Sequence, residues 1–261
     1  MRQFTSLRYD EQSAIKINFS SLFCNLTHRM KNNLIPFLCL AFFSFGTLAD
    51  NLEEGFAATQ KGDYKKATPL LKEAATQGNA MAQVLLGLMY KNGKGLKQNT
   101  KEAVNSFRIA AKQGDADGQY NLGVMYDRGL GVKQDYKEAA KCYQLAAEQG
   151  VTDAQIRLGI MLQSGQGLTQ NEKDAVKWFR NAAEQNDADA QLLLGLAYVA
   201  GRGIATDQIR GYMWMNIAAA NSSHEALKER DNIAAKMTAK QIEIAQNLTA
   251  KCTTANYKAC E

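Results

Sequence analysis

With 261 residues, the chain could hold one or two ordinary domains. Its formal charge of +5 is concentrated at the start: the first 49 residues carry five Lys or Arg against two acids, and the remainder is nearly balanced. No Lys/Arg cluster with interleaved aromatics occurs, so the sequence lacks a nucleic-acid footprint and no nucleic-acid partner is expected.

In chain order, residues 1–29 read as an upstream extension, either an over-long start or a disordered tail. Residues 30–49 read as a signal peptide: Lys31 precedes an uncharged apolar run, Leu34 to Leu48, and Thr47 and Ala49 stand at the two positions a signal peptidase reads. Cleavage before Asp50 is expected, with a periplasmic or secreted location and no stable membrane insertion afterwards. The run is 15 residues, short of the roughly 20 that span a bilayer; an uncleaved anchor is the alternative. Cys39 lacks the small preceding residue of a lipid-attachment box, so lipidation is not expected.

Residues 50–78 form an incomplete unit, expected to cap the N-terminal end. Lys61-Gly62-Asp63-Tyr64 supplies a tight turn, and Pro69 should kink or shorten the helix that follows. From residue 79 the sequence repeats every 36 positions without a gap, as units 79–114, 115–150, 151–186 and 187–222. Gln83, Gln119, Gln155 and Gln191 occupy one column; Leu86, Leu122, Leu158 and Leu194 the next; Gly87, Gly123, Gly159 and Gly195 another. A fixed period in this range signals a solenoid whose units bury their apolar faces only against neighbours.

Each unit reads as two helices. Ala82, Leu86, Met89 and Tyr90 recur at helical spacing. The loop reads Gly-x-Gly-aliphatic-x-x-Asx, as in Gly129 to Asp135, so glycine ends the first helix and Asn99, Asp135, Asn171 or Asp207 caps the second. Glu102, Glu138 and Asp174 follow at capping-box spacing. A glycine inside the first helix costs about 1 kcal/mol relative to alanine; its recurrence implies close approach of the partner helix. The second helix ends in Ala-Ala, then Gly114, Gly150, Asn186 or Ser222. Beyond Ser222 the period fails. Residues 223–261 are expected to form a C-terminal cap of two helices, His224 to Lys236 and Thr238 to Lys251, with Met213, Trp214, Ile217, Leu227, Ile233, Met237, Ile242, Ile244 and Leu248 burying the open end.

Leu122, Gly123, Tyr126, Gly129, Gly131, Ala146 and Ala147 carry a pattern that resembles the Sel-one-like repeat, a relative of the tetratricopeptide repeat, over about Asn51 to Ser222. Gly118, Leu162 and Gly211 depart from it. The resemblance implies an all-α fold, a right-handed α/α solenoid of about four full 36-residue repeats between capping helices. It also implies an adaptor that binds a protein or peptide; exported bacterial members are associated with envelope processes, host contact and cell-wall enzymes. A cysteine-rich branch is linked to β-lactam hydrolysis, but this chain lacks that branch's one disulfide per repeat.

For chemistry the sequence offers little. Downstream of the leader only His224 remains, without a second histidine at zinc-protease spacing. Ser13-Ala14-Ile15-Lys16 matches a β-lactamase string but precedes the leader. No Gly-x-Ser-x-Gly, Walker loop or Cys-x-x-Cys occurs. No catalytic residue, metal site or cofactor is assigned. Cys142 reads as a small buried hydrophobe. Cys252 and Cys260 can close a terminal loop as a disulfide.

The candidate site is therefore the first-helix groove, where Met81, Leu85, Leu88 and Asn92 and their 36-residue equivalents form a stripe. Its polar members, Asn92, Asp117, Asn121, Arg128, Asp153, Arg157, Ser164 and Asp189, are the candidate partner contacts. Leu88, Val124, Ile160 and Leu196 can equally be core. The reading is an exported scaffold for a protein or peptide partner; the alternative is a weak β-lactam or peptidoglycan hydrolase, or a regulator of a cell-wall enzyme.

Overall fold

A repeating sequence should fold into a repeating hairpin, and the computed structural model, which describes residues 42–258 and Cys260, shows twelve helices and no strand among those residues. They are α1 (Phe42–Gln60), α2 (Tyr64–Thr76), α3 (Ala80–Asn92), α4 (Thr100–Lys112), α5 (Ala116–Arg128), α6 (Tyr136–Glu148), α7 (Thr152–Ser164), α8 (Glu172–Ala183), α9 (Ala188–Ala200), α10 (Gln208–Ala220), α11 (His224–Ala234) and α12 (Ala239–Thr254). From α3 to α10 each first helix packs on its own second helix, and each second helix on the next first helix. Gly46–Glu261 is one compact unit. Most of the expected leader lies outside the described residues.

The glycine inside each first helix has the packing reason its recurrence implied. A Cβ on Gly87, Gly123, Gly159 or Gly195 would meet Phe107, Tyr143, Phe179 or Met215 of the partner helix at 2.5 to 2.9 Å. Phe107, Tyr143 and Phe179 are fully buried there. The loop glycines divide two tasks. Gly129 ends α5 in the left-handed region at φ 66°. Gly131, at φ 72°, instead lies against the backbone of Thr100 and Lys101, the start of the preceding second helix. Gly167 and Gly203 repeat that approach on Tyr136 and Glu172.

The Asx residues cap the second helices as expected: Asn99, Asp135, Asn171 and Asp207 each accept a backbone N–H from the first turn. The reciprocal half of the box does not form at Glu102, Glu138 or Asp174. The N–H groups of Asn99, Asp135 and Asn171 already donate to the carbonyls of Tyr90, Tyr126 and Leu162, so the acids are free to pair elsewhere, Glu138 with Lys141 and Asp174 with Lys177. Only Thr238 and Gln241 complete a capping box among the described residues. Pro69 does not shorten its helix; α2 runs 13 residues, the length of most second helices.

Buried glutamines tie the units together. Gln155 donates to the carbonyl of Ala147 at the end of the preceding helix and accepts from Gln185; Gln191 repeats this with Ala183 and Asn221. Orphan carbonyls at a helix end are thereby satisfied from the next unit, and no buried side-chain polar atom lacks a partner among the described residues.

The C-terminal end differs from expectation. Ala226 and Ile233 keep the 36-residue step and are buried, so α11 is a sixth first helix in register. Arg230 and Asp231 stand where the four full units have Leu and Gly, and Arg230 bonds Asn216 and Asp231. A second helix cannot pack closely on that charged pair. Instead of α11, α12 packs on α10. Met213, Trp214 and Ile217 are buried as expected, but Leu227 and Ile244 are exposed, at 41% and 40%. Cys252 and Cys260 are bonded, with Cα atoms 4.8 Å apart, and join the same buried cluster as Met213, Trp214, Ile217 and Leu248.

Candidate functional site

The groove stripe resolves into columns with different fates. Leu85, Val124 and Leu193 are buried core, 3 to 8% exposed. Leu88, Ile160 and Leu196 are half-buried and pack on the core clusters. These apolar members are therefore core. In the central two units, however, the column of Leu85 and Leu193 carries Asn121 and Arg157, both half-buried. Asn121 donates from Nδ2 to the carbonyl of Asp117 on its own helix, 2.8 Å.

Asp117, Asp153 and Asp189 occupy the second position of α5, α7 and α9, where the positive end of the helix dipole favours a carboxylate. Burial nevertheless raises all three carboxyls above the usual range, and the carboxylates act on one another. Asp153 is raised by burial first, then by Asp187, Asp189 and Asp117, with Arg157 opposing. Asp189 is raised by burial, Asp187 and Glu225, again opposed by Arg157. The fold thus brings Asp117, Asp153, Asp189 and Arg157 into one electrostatic neighbourhood. Glu225 belongs to the same column, 36 residues after Asp189, and was missed because the period was read as ending at Ser222. The step of 36 itself would have found it.

Although Arg128 acts with Arg157 on Tyr143, Asn92, Arg128 and Ser164 are not among the groups that shift those carboxyls. They are the exposed last residues of α3, α5 and α7, and at 1.5 Å per residue an eleven-residue separation places them about 16 Å along the helix from the acids. The Ser164 hydroxyl turns back onto the Met161 carbonyl. A single partner touching both ends must span the width of the solenoid.

A raised carboxyl means that ionisation works against folding. Stability from such a group is fully present below its unfolded pKa and is lost as pH rises through the folded value. Asp153→Asn should therefore leave stability unchanged at pH 3 and raise it at pH 7, by up to about 0.5 kcal/mol; urea melts at both pH values check this, and destabilisation at pH 7 would contradict it.

No group of three or more metal-binding side chains occurs among the described residues. Burial and Glu138 push the Cys142 thiol up to about 11, so it is protonated at neutral pH and a poor nucleophile. Native Cys142 should alkylate with iodoacetamide at pH 7.5 at least about tenfold slower than the same thiol in urea; equal rates would refute its protection. Among the described residues, no helix is long and apolar enough to cross a membrane.

Stacked helix pairs, a buried glutamine ladder and paired-glycine elbows define an α/α solenoid repeat protein. The chain belongs to the Sel1 repeat family, whose model matches residues 48–79, 80–115, 116–151, 152–187 and 188–223. The first match falls on the unit read from sequence as a cap. Two solved structures are similar. One is a protective antigen present in uropathogenic Escherichia coli strains that displays an SLR fold, at 30% identity and TM-score 0.71, covering 82% of this chain and 47% of that one. This chain thus spans about half the antigen's length. The other is a Sel1 repeat protein from Oxalobacter formigenes, at 32% identity and TM-score 0.69, covering 77% of this chain and 82% of that one. No curated protein matches the chain. Sel1 solenoids commonly serve as protein-interaction scaffolds.

Proposed function

We propose that this chain is an exported α-solenoid scaffold that holds a protein or peptide partner in its first-helix groove, in envelope processes or host interaction. One observation carries the groove assignment: the column filled by buried Leu85 and Leu193 in the outer units is polar and half-buried in the central two, as Asn121 and Arg157. Core packing would be served by leucine there, so the polar pair is better explained by a partner. The flanking acids, ionised against the effect of their burial, fit a site where stability is given up for binding.

Export rests on the leader pattern of residues 30–49, and the N-terminal sequence of the mature protein tests it; a start other than Asp50 counts against cleavage there. For the groove, Asn121→Ala with Arg157→Ala should reduce capture of a crosslinked envelope partner by about tenfold or more, with the helical circular dichroism spectrum unchanged. Undiminished capture refutes the groove. Nitrocefin turnover by the purified chain that survives both substitutions would favour the hydrolase instead.

A further inference from the structure

The repeat supplies an internal comparison for a second surface, independent of the groove. On α10, Met213, Trp214 and Ile217 lie 0, 2 and 1% exposed, in a cluster with Leu248, Cys252 and Cys260. Stepping back by 36 gives Lys177, Trp178 and Asn181 on α8, then Lys141, Cys142 and Leu145 on α6, then Asn105, Ser106 and Ile109 on α4. Among the described residues no helix packs on α4, α6 or α8 as α12 packs on α10. The counterparts of Ile217 are consequently open: Leu145 is 50% exposed and Ile109 36%.

Both are aliphatic, in adjacent units, while the same position is Glu73 in the first unit and Asn181 in the fourth. A solvated face has no need of aliphatic residues in two units and polar ones on either side. The charges beside them include acids, Glu102, Glu138 and Glu148, of which Glu138 is taken up by Lys141, but two lysines stay without an ion pair among the described residues. Lys101 and Asn105 precede Ile109 on one stripe of α4, and Lys137 and Lys141 precede Leu145 on the matching stripe of α6, at spacings of four residues. Lys101 and Lys137 are exposed in the first turns of their helices, where the dipole disfavours a cation. Neither side chain has an ion pair among the described residues. On the covered helix the same stripe is Ile209, Met213 and Ile217.

We propose that the outer face of α4 and α6 is a second docking surface, for an acidic amphipathic helix of a partner protein. Its apolar stripe seats on Ile109 and Leu145, as Leu248 and Cys252 seat on α10, and its carboxylates meet Lys101 and Lys137. The exposed face of α12 carries Lys240 and Lys251 against a single acid, Glu243, and this net positive charge disfavours a second copy as the occupant.

The test uses the full chain and a fluorescein-labelled 16-residue peptide that keeps the inward residues of α12, with serine for Cys252 and glutamate at the remaining first-turn and flanking positions. Saturable binding by anisotropy is expected, weakening with salt. Ile109→Ser with Leu145→Ser should lower affinity by about tenfold or more; both sites are exposed, so circular dichroism and melting should be unchanged. The groove pair Asn121→Ala and Arg157→Ala should bind the peptide normally, which separates failure here from failure of the groove assignment. Absence of binding, binding indifferent to the serine pair, or binding lost with the groove pair overturns the proposal. So does self-association of the wild type that the serine pair abolishes, because the occupant is then a second copy.

Discussion

Replacing Gly131 with alanine should destabilise the solenoid by about 3 kcal/mol, whereas Gly129→Ala, two residues away, should cost about 1 kcal/mol. Both glycines hold φ near 70°, so both substitutions impose the left-handed penalty of roughly 1 to 2 kcal/mol. They differ in what the added methyl would meet. At Gly129 it would reach the Gln134 Cβ at 3.3 Å, at the far side of a short loop that can give way. At Gly131 it would run into the carbonyl of Thr100 and the amide of Lys101, backbone fixed in the first turn of α4, the second helix of the preceding repeat. Relief there requires two units to separate, adding an overpacking cost of about 1 to 3 kcal/mol. Urea unfolding of the two variants side by side checks the difference; equal losses would show that dihedral strain alone explains both glycines.

Opening the Cys252–Cys260 bond should cost about 2.5 kcal/mol, from the chain entropy of a short loop, and should act on the C-terminal end first. The bond holds the segment after α12 in the cluster that covers Met213, Trp214 and Ile217. With Cys252→Ser and Cys260→Ser, or with a dithiol present, the urea midpoint should fall and Trp214 emission should shift to the red before the helical signal is lost. Trp178 lies in a different cluster and serves as the internal control. Identical midpoints with and without the bond would show that Leu248 and Tyr257 hold the cap by packing alone.

Much of the fold was legible because each unit sees nearly the same surroundings. The columns of Leu122, Gly123 and Ala147 repeat in sequence since the neighbours they pack against repeat too, and comparison within one chain revealed which positions are constrained. The capping box failed at Glu102, Glu138 and Asp174 because spacing shows which groups are near, but not whether the N–H they need is already taken by Tyr90, Tyr126 or Leu162. The candidate site was half legible. Asp117, Asp153, Asp189 and Arg157 do act on one another, while Asn92, Arg128 and Ser164 lie at the other ends of their helices, a separation that spacing in the sequence shows only as a stripe.

What the sequence by itself determined is the unit and its repetition: helix length, glycine elbow, Asx cap and the small-residue contact are local or nearest-neighbour properties, written into every 36 residues. Only the tertiary structure decided how the array ends. Ala226 and Ile233 keep α11 in register, yet Arg230 and Asp231 deny it a second helix, and α12 finds lower free energy on Met213, Trp214 and Ile217 of α10. That choice is a competition between two apolar faces brought together by the stack, and no local pattern in the sequence records which face wins. The same competition leaves Ile109 and Leu145 uncovered.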